Sequence, residues 1–232
     1  MVYIIRPTSG LSNRFRVILS YYEKMIKTTN ETMVVVWQTN NHCPGFFTDY
    51  FENIPNVHFT KNCWDNNFKK IVKGKWKYTY DGCYQEPNYK PDFSHLKLLP
   101  HMKEIIDKKM NVLNNNYIAV HIRRTDHAEW IKTKGKYEDD NLFLKFIDEN
   151  IKENQNIYVA TDCLKTYAKF KDKYKDKIKF DFHKTENRWP TVTSLKDAII
   201  DLFMCANANN FRGTYYSSYS GAIESIRTTL IK

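Results

Sequence analysis

Apolar and polar positions recur along this chain in two periods, which together predict a mixed α/β fold. An apolar, β-branched run at residues 2–5 ends in a Pro-Thr-Ser-Gly turn, and apolar residues then recur every three to four positions over residues 11–26. This spacing is typical of one face of a helix, and the next apolar run, at 33–37, predicts a second strand. Strand, helix and strand in this order favour parallel pairing through a right-handed crossover.

The second half of the chain repeats this alternation of strands and helices. We predict strands at 117–122, 157–160, 178–182 and 210–213, and helices at 101–113, 141–151, 164–174, 194–208 and 217–230. Residues 40–100 show no sustained period, and there we expect a short helix at 45–51 and short strands at 57–60 and 76–80. Regular alternation of strand and helix is the pattern of a doubly wound parallel sheet.

Composition narrows the class of protein. A chain of 232 residues with 42% hydrophobic and 15% aromatic residues can bury a sizeable core in one large domain or two small ones, which excludes disorder. The net charge of +10 attracts anionic partners or reflects a lysine-rich surface. Aspartates interleave the lysines of residues 171–177, which favours a solvated helix surface over a nucleic-acid stripe. No segment approaches the roughly 18 apolar residues of a membrane span, so no transmembrane segment is expected.

Cysteine usage bears on metal binding and on compartment. The five cysteines are an odd number and show no Cys-x-x-Cys spacing, which makes a zinc site improbable. The apolar run at the N-terminus is too short for a signal peptide. We therefore expect a cytoplasmic protein with reduced thiols, although Cys43 could pair with Cys63 or Cys83 if the protein were secreted.

The most informative stretch is the apolar run at 117–122, which contains His121 and is followed directly by Arg123, Arg124 and Asp126. Two arginines leaving a buried strand are costly unless they are paired or bound to an anion. Their side chains alternate in an extended segment, so one is expected to face a ligand while the other braces the loop with Asp126. Ligands bind beyond the carboxyl ends of parallel strands, and guanidinium groups suit a diphosphate. The alternative is a structural ion pair between Arg123 and Asp126 beside a core histidine.

Two further groups of polar residues follow predicted strands. Gly10, Asn13 and Arg14 open the first predicted helix, where free N–H groups and the helix dipole favour an anion, although a plain helix start has the same pattern. Asp162 ends a predicted strand and can accept from a ribose hydroxyl or a base N–H, or it can cap the next helix.

The last candidates lie near the C-terminus. Ser217 and Ser218 precede the final predicted helix, where they can donate to a phosphate or act as helix caps. Asp201 falls within an apolar helical pattern, which suggests a partly buried carboxylate. A buried aspartate needs a partner, and either a base edge or an arginine such as Arg123 would serve.

Taken together, these motifs resemble the fucosyltransferase superfamily, and the α1,6-fucosyltransferase and nodulation fucosyltransferase group most of all. Residues 121–126 match its HxRRTD motif at each fixed position, and residues 10–14 are similar to its N-terminal Gly-x-x-Asn-type loop. Residues 160–162 resemble its Ala-Thr-Asp motif, and 195–202 followed by 213–218 resemble its final motif.

The resemblance implies a GT-B-like fold, with two Rossmann-like domains facing across a cleft. Carried onto this chain, residues 1–111 form the acceptor-side domain and 112–232 the domain that binds the donor nucleotide. The implied reaction is inverting and metal-independent transfer of L-fucose from GDP-fucose to a glycan hydroxyl, without a cofactor. A related transferase with another nucleotide sugar is the alternative. A non-enzymatic nucleic-acid-binding protein, suggested by the net charge, ranks last.

The resemblance also implies roles for individual residues. Arg123 would hold the diphosphate and stabilise its charge as GDP leaves. The expected donor-binding residues are Gly10, Asn13, Arg14, His121, Arg124, Asp162, Asp201, Ser217 and Ser218, with Asp201 reading the guanine edge, the serines donating to phosphate, and Gly10 and Asn13 closing from the other domain. Relatives carry a glutamate shortly after the motif. Here Glu129 lies at a different spacing, with His127 also close, and we expect Glu129 to act as general base. The expected catalytic residues are therefore Arg123, Asp126 and Glu129.

Overall fold

A computed structural model describes residues 2–28, 31–63, 66–72, 76–134, 136–182 and 193–230. The chain divides into two compact units. The first comprises Met1–Pro100 with Ser194–Lys196, and the second comprises His101–Thr193 with Asp197–Lys232. The boundary predicted from the sequence lies after residue 111, whereas the compact units divide at Pro100, so that the helix at Pro100–Val112 belongs with the second unit.

The first unit is built on a four-stranded parallel sheet. Its elements are β1 (Val2–Pro7), α1 (Leu11–Thr28), β2 (Thr32–Val36), β3 (Val57–Thr60), α2 (Asn66–Ile71) and β4 (Trp76–Gly82), and the strand order is β3-β2-β1-β4. The β1 and β2 runs are apolar on both faces because Ile4, Ile5, Val34 and Val35 are all almost fully buried. The predicted strand, helix and parallel strand at the start of the chain are thus confirmed.

The second unit has a three-stranded parallel sheet with the order β6-β5-β7. Its elements are α3 (Pro100–Val112), β5 (Tyr117–Ile122), α4 (Thr125–Lys132), α5 (Asp140–Asn150), β6 (Asn156–Thr161), α6 (Leu164–Tyr174), α7 (Leu195–Asn207), β7 (Asn210–Gly213) and α8 (Ser218–Leu230). All six residues of β5 are buried, and Ile118, Val120 and Ile122 pack in the core with Phe143 and Ile147 of α5. Because all three strands are parallel, their carboxyl ends lie at one edge of the sheet.

The predicted strand at residues 178–182 is wrong. A 3₁₀ turn at Lys175–Lys177 directly precedes this segment, and residues 178–182 form no strand. Side chains of α6 take the backbone carbonyls that a strand would have paired, because Tyr167 donates to the carbonyl of Phe180 and Lys171 donates to that of Ile178 at 2.6 Å. The apolar side chain of Ile178 still packs into the core.

Three smaller differences lie elsewhere. The predicted helix at 45–51 is only a 3₁₀ turn at Phe47–Asp49. The sequence did not predict α2 or α4, which are both short.

None of the helices that the structure describes is long and apolar enough to cross a membrane.

Native thiol labelling is expected to separate the cysteines into two classes. None of the five forms a disulfide; Cys43 and Cys205 are buried, whereas Cys63, Cys83 and Cys163 are partly exposed. Burial raises the pKa of Cys43 from 9.0 to about 11, and the thiolate is the reactive form. Cys43 should therefore stay protected from alkylation between pH 7 and about 9.5, because its side chain is buried and its pKa lies above this range, whereas the partly exposed thiols are accessible to the reagent.

Mass spectrometry after iodoacetamide treatment, with and without urea, measures this pattern. Rapid native labelling of Cys43, or cysteines that resist labelling even in urea, would contradict it.

Candidate active site

The expected site residues His121, Arg123 and Asp162 lie together at the carboxyl edge of the second sheet. In the β-ladder, His121 of β5 lies opposite Ala160 of β6 and Gly213 of β7. Arg123, Asp162 and Thr214 therefore emerge close together just beyond these strands. This edge is where a parallel sheet places its ligands.

Arg123 has fixed backbone and side-chain contacts, and its side chain is partly exposed to solvent. Its backbone N–H donates to the Thr214 hydroxyl at 2.9 Å, and its Nε lies 3.3 Å from Asp162 Oδ2. The Arg123 side chain is 36% exposed, compared with 10% for Asp162. A guanidinium carries several N–H donors in a planar fork, so an oriented and exposed Arg123 can bind an oxyanion.

Arg124 has the opposite environment. It is buried, and its Nη2 and Nε donate to Asp140 Oδ1 at 2.7 and 3.1 Å. Its guanidinium also lies over the rings of Tyr137 and Phe143. The two arginines thus have different environments, and the described partner of Arg124 is Asp140 at the start of α5. The side chain of Asp126, the partner expected from the sequence, lies outside the described residues. These contacts brace β5 against α5, and the expected role of Arg124 as a donor ligand stays a prediction.

Asp162 fastens the turn between β5 and α4. Its Oδ1 accepts from the Arg124 N–H at 2.7 Å, and its Oδ2 accepts from the Thr125 hydroxyl at 2.6 Å, besides the contact with Arg123. The carboxylate therefore serves the first turn of α4, whereas the capping alternative in the sequence placed it at the helix that follows β6. Its negative charge also fixes the orientation of the Arg123 side chain.

Thr214 ties the ends of β5 and β7 together, and the sequence analysis missed it. Its hydroxyl donates to the carbonyl of His121 at 3.0 Å while accepting from the Arg123 N–H. The backbone N–H of Thr214 donates to the same carbonyl at 2.9 Å. Thr214 directly follows the strand predicted at 210–213, and this position is the signal by which the sequence could have indicated it as a site residue.

His121 and the serines connect β5 to α8. His121 is buried, with Nδ1 2.8 Å from Ser220 Oγ and its ring 4.7 Å from that of Tyr219. Ser217 caps α8, because its hydroxyl accepts from the Ser220 N–H at 3.4 Å. Ser217 and Ser218 are both half-buried at the start of this helix. Ser220 and Tyr219 were not predicted as site residues.

Asp201 has a tyrosine partner. It is buried on α7, and it accepts from the Tyr158 hydroxyl at 2.7 Å. Burial, and then the charge of Asp201, raise the pKa of Tyr158 well above its ordinary value, so the phenol stays protonated and donates. The pair lines a small pocket, together with Thr161, Phe180 and Phe182.

In the first unit, Arg14 is almost fully buried. Its Nε and Nη1 donate to the carbonyls of Ser9 at 2.9 Å and Gln38 at 2.6 Å, and its guanidinium lies over the Trp37 ring. Burial lowers the pKa of Arg14. Arg14 therefore stabilises the turn after β1 instead of presenting its charge to a donor.

Asn13 and Gly10 complete this turn. The Asn13 amide donates to the Ser9 hydroxyl at 3.0 Å, and its oxygen accepts from Arg16 at 2.5 Å. Ser9 has the left-handed φ of 69°, which shapes the turn. A Cβ at Gly10 would meet only the His42 carbonyl, at 3.9 Å, so the backbone there leaves room for a close approach.

The expected proton acceptors lie on α4. Glu129 is exposed, and its Oε1 lies 2.8 Å from Lys132 Nζ. The backbone places Asp126 in the first turn of α4, but the side chains of Asp126 and His127 lie outside the described residues. Glu129 is therefore a solvated helix residue about one turn beyond Thr125.

Within the described part of the chain, one group of side chains is arranged as metal ligands could be. Glu23, Asp92 and His95 bring ligand atoms within 4.8 Å of one another. Glu23 pairs at 3.1 Å with both His95 and Lys27, and the group belongs to the first unit. The predicted anion site around Arg123 belongs to the second unit and has a different composition.

The family model of GDP-fucose protein O-fucosyltransferase matches residues 8–230. No curated protein matches the sequence significantly. A structure of NodZ alpha-1,6-fucosyltransferase soaked with GDP-fucose superposes with a TM-score of 0.62 at 13% identity, covering 97% of this chain and 92% of that one.

Two further solved structures are similar over nearly their whole length. Fucosyltransferase NodZ from Bradyrhizobium has a TM-score of 0.62 at 13% identity, covering 95% of this chain and 91% of that one. POFUT1 in complex with GDP-fucose has a TM-score of 0.60 at 10% identity, covering 97% and 94%. These likenesses confirm the α/β, GT-B-like fold class. Because the family model spans almost all of the sequence, the chain belongs to the GDP-fucose protein O-fucosyltransferase family and is a glycosyltransferase.

Proposed function

We propose that this protein transfers L-fucose from GDP-fucose to a glycan hydroxyl, with inversion at the anomeric carbon and without a metal ion. The observation that carries the proposal is Arg123, a partly exposed guanidinium fixed by Asp162 and Thr214 at the carboxyl edge of the second sheet. Membership of the family supports fucose transfer. Two of the matched structures, one soaked with GDP-fucose and one in complex with it, support the same donor.

Arg123 acts on the leaving group. Breaking the bond between fucose and diphosphate leaves negative charge on the phosphate oxygen and positive charge on the sugar ring. A cation already oriented toward the developing anion lowers the barrier, because it needs no reorganisation at the moment of reaction. Asp162 and Thr214 supply that orientation, and the guanidinium supplies the positive charge that a metal ion provides in other transferases. Inversion of a β-linked donor gives an α-linked product.

The nucleotide would occupy the rest of this edge. Guanine presents N–H donors on its Watson–Crick edge, and Asp201 is the candidate acceptor in the pocket beside β6. Ser217 and Ser218, at the N-terminus of α8, would donate to phosphate, where the helix dipole favours an anion. His121 would act from behind this helix, through its contact with Ser220.

Glu129 is our candidate for the group that takes the acceptor's proton. It is exposed on the helix that begins directly after the two arginines, and an acceptor can displace its ion pair with Lys132. An ion pair between exposed side chains contributes little free energy, so its loss costs little.

Calorimetry with EDTA present tests the donor assignment. GDP and GDP-fucose are expected to bind with dissociation constants below millimolar, and GDP-fucose is expected to be slowly hydrolysed. ADP, UDP and their sugars serve as matched ligands because they carry the same diphosphate. Tight binding of one of these, with no GDP binding below millimolar, would overturn the proposal, and binding that requires a divalent cation would overturn metal independence.

A further inference from the structure

We infer that four exposed residues beside Arg123 form the binding site for a sugar unit of the acceptor. Trp130, Lys136, Tyr215 and Tyr216, called here the aromatic platform, all belong to the second unit. The inference rests on the proposed function, since it names the surface that would hold the molecule to which fucose is transferred.

The platform is a continuous set of aromatic rings with an ammonium group. The rings of Tyr215 and Tyr216 lie 4.3 Å apart, and that of Trp130 lies 6.3 Å from Tyr216 at an angle of 86°. Lys136 Nζ lies 5.0 Å from the Tyr216 ring and 3.5 Å from its hydroxyl. Trp130, Tyr215 and Tyr216 are 49%, 49% and 57% exposed, although large aromatic side chains are normally buried.

The loop that carries the tyrosines is constrained rather than loose. Tyr216 has a φ of 56°, which is rare for a bulky side chain and is kept where surrounding contacts fix it. The Tyr215 N–H donates to Glu138 Oε2 at 2.7 Å, and Glu138 also pairs with Arg212 at 2.9 Å. A surface whose backbone is fixed before the ligand arrives loses less entropy on binding.

The chemistry of the platform fits a saccharide. One face of a pyranose is lined with C–H groups, which carry partial positive charge and pack on the electron-rich face of an aromatic ring. The phenol hydroxyl of Tyr216 and the ammonium of Lys136 can bond the sugar hydroxyls that surround such a face. Stacking surface and polar groups together are therefore present within one small patch.

Both ends of the platform are joined to the proposed donor site. Tyr215 directly follows Thr214, whose hydroxyl binds the Arg123 N–H, and Trp130 lies on α4, which begins two residues after Arg123. A transferase has to hold its acceptor hydroxyl beside the departing diphosphate. An acceptor sugar on this platform meets that requirement, whereas a polypeptide partner is normally bound by a much larger surface.

Binding to an array of neutral, sialylated and sulfated oligosaccharides, in the presence of GDP, tests the inference. Ser- and Thr-containing peptides are printed beside the oligosaccharides. We expect the wild-type protein to bind oligosaccharides, and Trp130→Ala and Tyr216→Asn to bind them about tenfold more weakly or worse. Asparagine tolerates the left-handed backbone at position 216, so this variant removes the ring without straining the loop.

Two controls locate the effect. Trp76→Ala removes a comparably exposed aromatic ring, 55% exposed on β4 of the first unit, and should keep oligosaccharide binding. Calorimetry with GDP on the same preparations should show a much smaller change in the platform variants than the array does. Wild-type GDP binding with no oligosaccharide bound, or platform variants that bind like Trp76→Ala, would overturn the inference and leave the proposed donor, GDP-fucose, standing.

Two other outcomes are equally decisive. Binding of the peptides in place of the oligosaccharides, lost in the platform variants, would overturn the inference in favour of a polypeptide acceptor. Absence of GDP binding in the wild-type protein would overturn the proposed function, and with it the inference that rests on it.

Discussion

The variant Arg123→Ala is expected to transfer fucose at least about 10²- to 10³-fold more slowly than the wild-type protein, which corresponds to about 3–4 kcal/mol in the activation barrier. The reason is that this guanidinium is a partly exposed cation fixed at the carboxyl edge of the sheet, where the diphosphate would develop its charge. The free energy of unfolding should change by less than about 1 kcal/mol, because the ion pair with Asp162 is partly solvated. Turnover of GDP-fucose and urea denaturation on the same preparation measure both quantities.

Two further variants sharpen this prediction. Arg123→Lys keeps the positive charge but loses the planar fork, so we expect it to recover only part of the lost rate. Lys108→Ala removes an exposed cation from α3 and should leave turnover within a few-fold of the wild-type value, because Lys108 and its partner Glu104 are both exposed and have no proposed role in the reaction. Equal effects of Arg123→Ala and Lys108→Ala would mean that total charge matters and position does not, as a nucleic-acid-binding protein requires.

The strands of the fold could be predicted because their signals are local. The runs that became β1, β2 and β5 are apolar on both faces, which is typical of parallel strands covered by helices. Residues 178–182 carry a similar apolar signal, yet side chains of α6 bind the carbonyls of Ile178 and Phe180. Which group satisfies a backbone carbonyl is decided by tertiary packing, and the hydrophobic period contains no trace of it.

The sequence indicated which residues follow β5 and β6 at the carboxyl edge of the second sheet, but not their contacts. It separated Arg123 from Arg124 by the alternation of an extended strand. Arg124 in fact lies beyond β5 with a helical backbone, and packing against α5 gives it a different environment from Arg123. The partner of Arg124 is Asp140, however, and the hydroxyl that accepts from the Arg123 N–H is that of Thr214, which lies 91 positions away in sequence. Both contacts follow from the strand order β6-β5-β7 and from the position of α5, neither of which a single sequence specifies.

The variant Arg124→Met is expected to lower the free energy of unfolding by about 2–3 kcal/mol, in contrast to Arg123→Ala. Breaking a buried ion pair from one side costs about 3–5 kcal/mol because the remaining charge stays desolvated. We expect less here, since the Asp140 side chain is 21% exposed and keeps Lys169 at 3.8 Å. The methionine retains much of the packing against Tyr137 and Phe143, so the loss reports mainly on the charge and its hydrogen bonds.

A double-mutant cycle with Asp140→Asn separates bracing from ligand binding at Arg124. If the pair acts as a brace, the double variant should lose less stability than the sum of the two single variants, because no unpaired carboxylate is left. GDP affinity, measured at urea concentrations well below the unfolding transition, should then fall by similar amounts in Arg124→Met and Asp140→Asn. Both variants disturb the β5–α4 turn, and a brace predicts no loss of affinity beyond that disturbance. Unchanged stability together with a loss of GDP affinity confined to Arg124→Met would instead make Arg124 a donor ligand. The adjacent arginines would then act as one anion site, rather than as one ligand and one support.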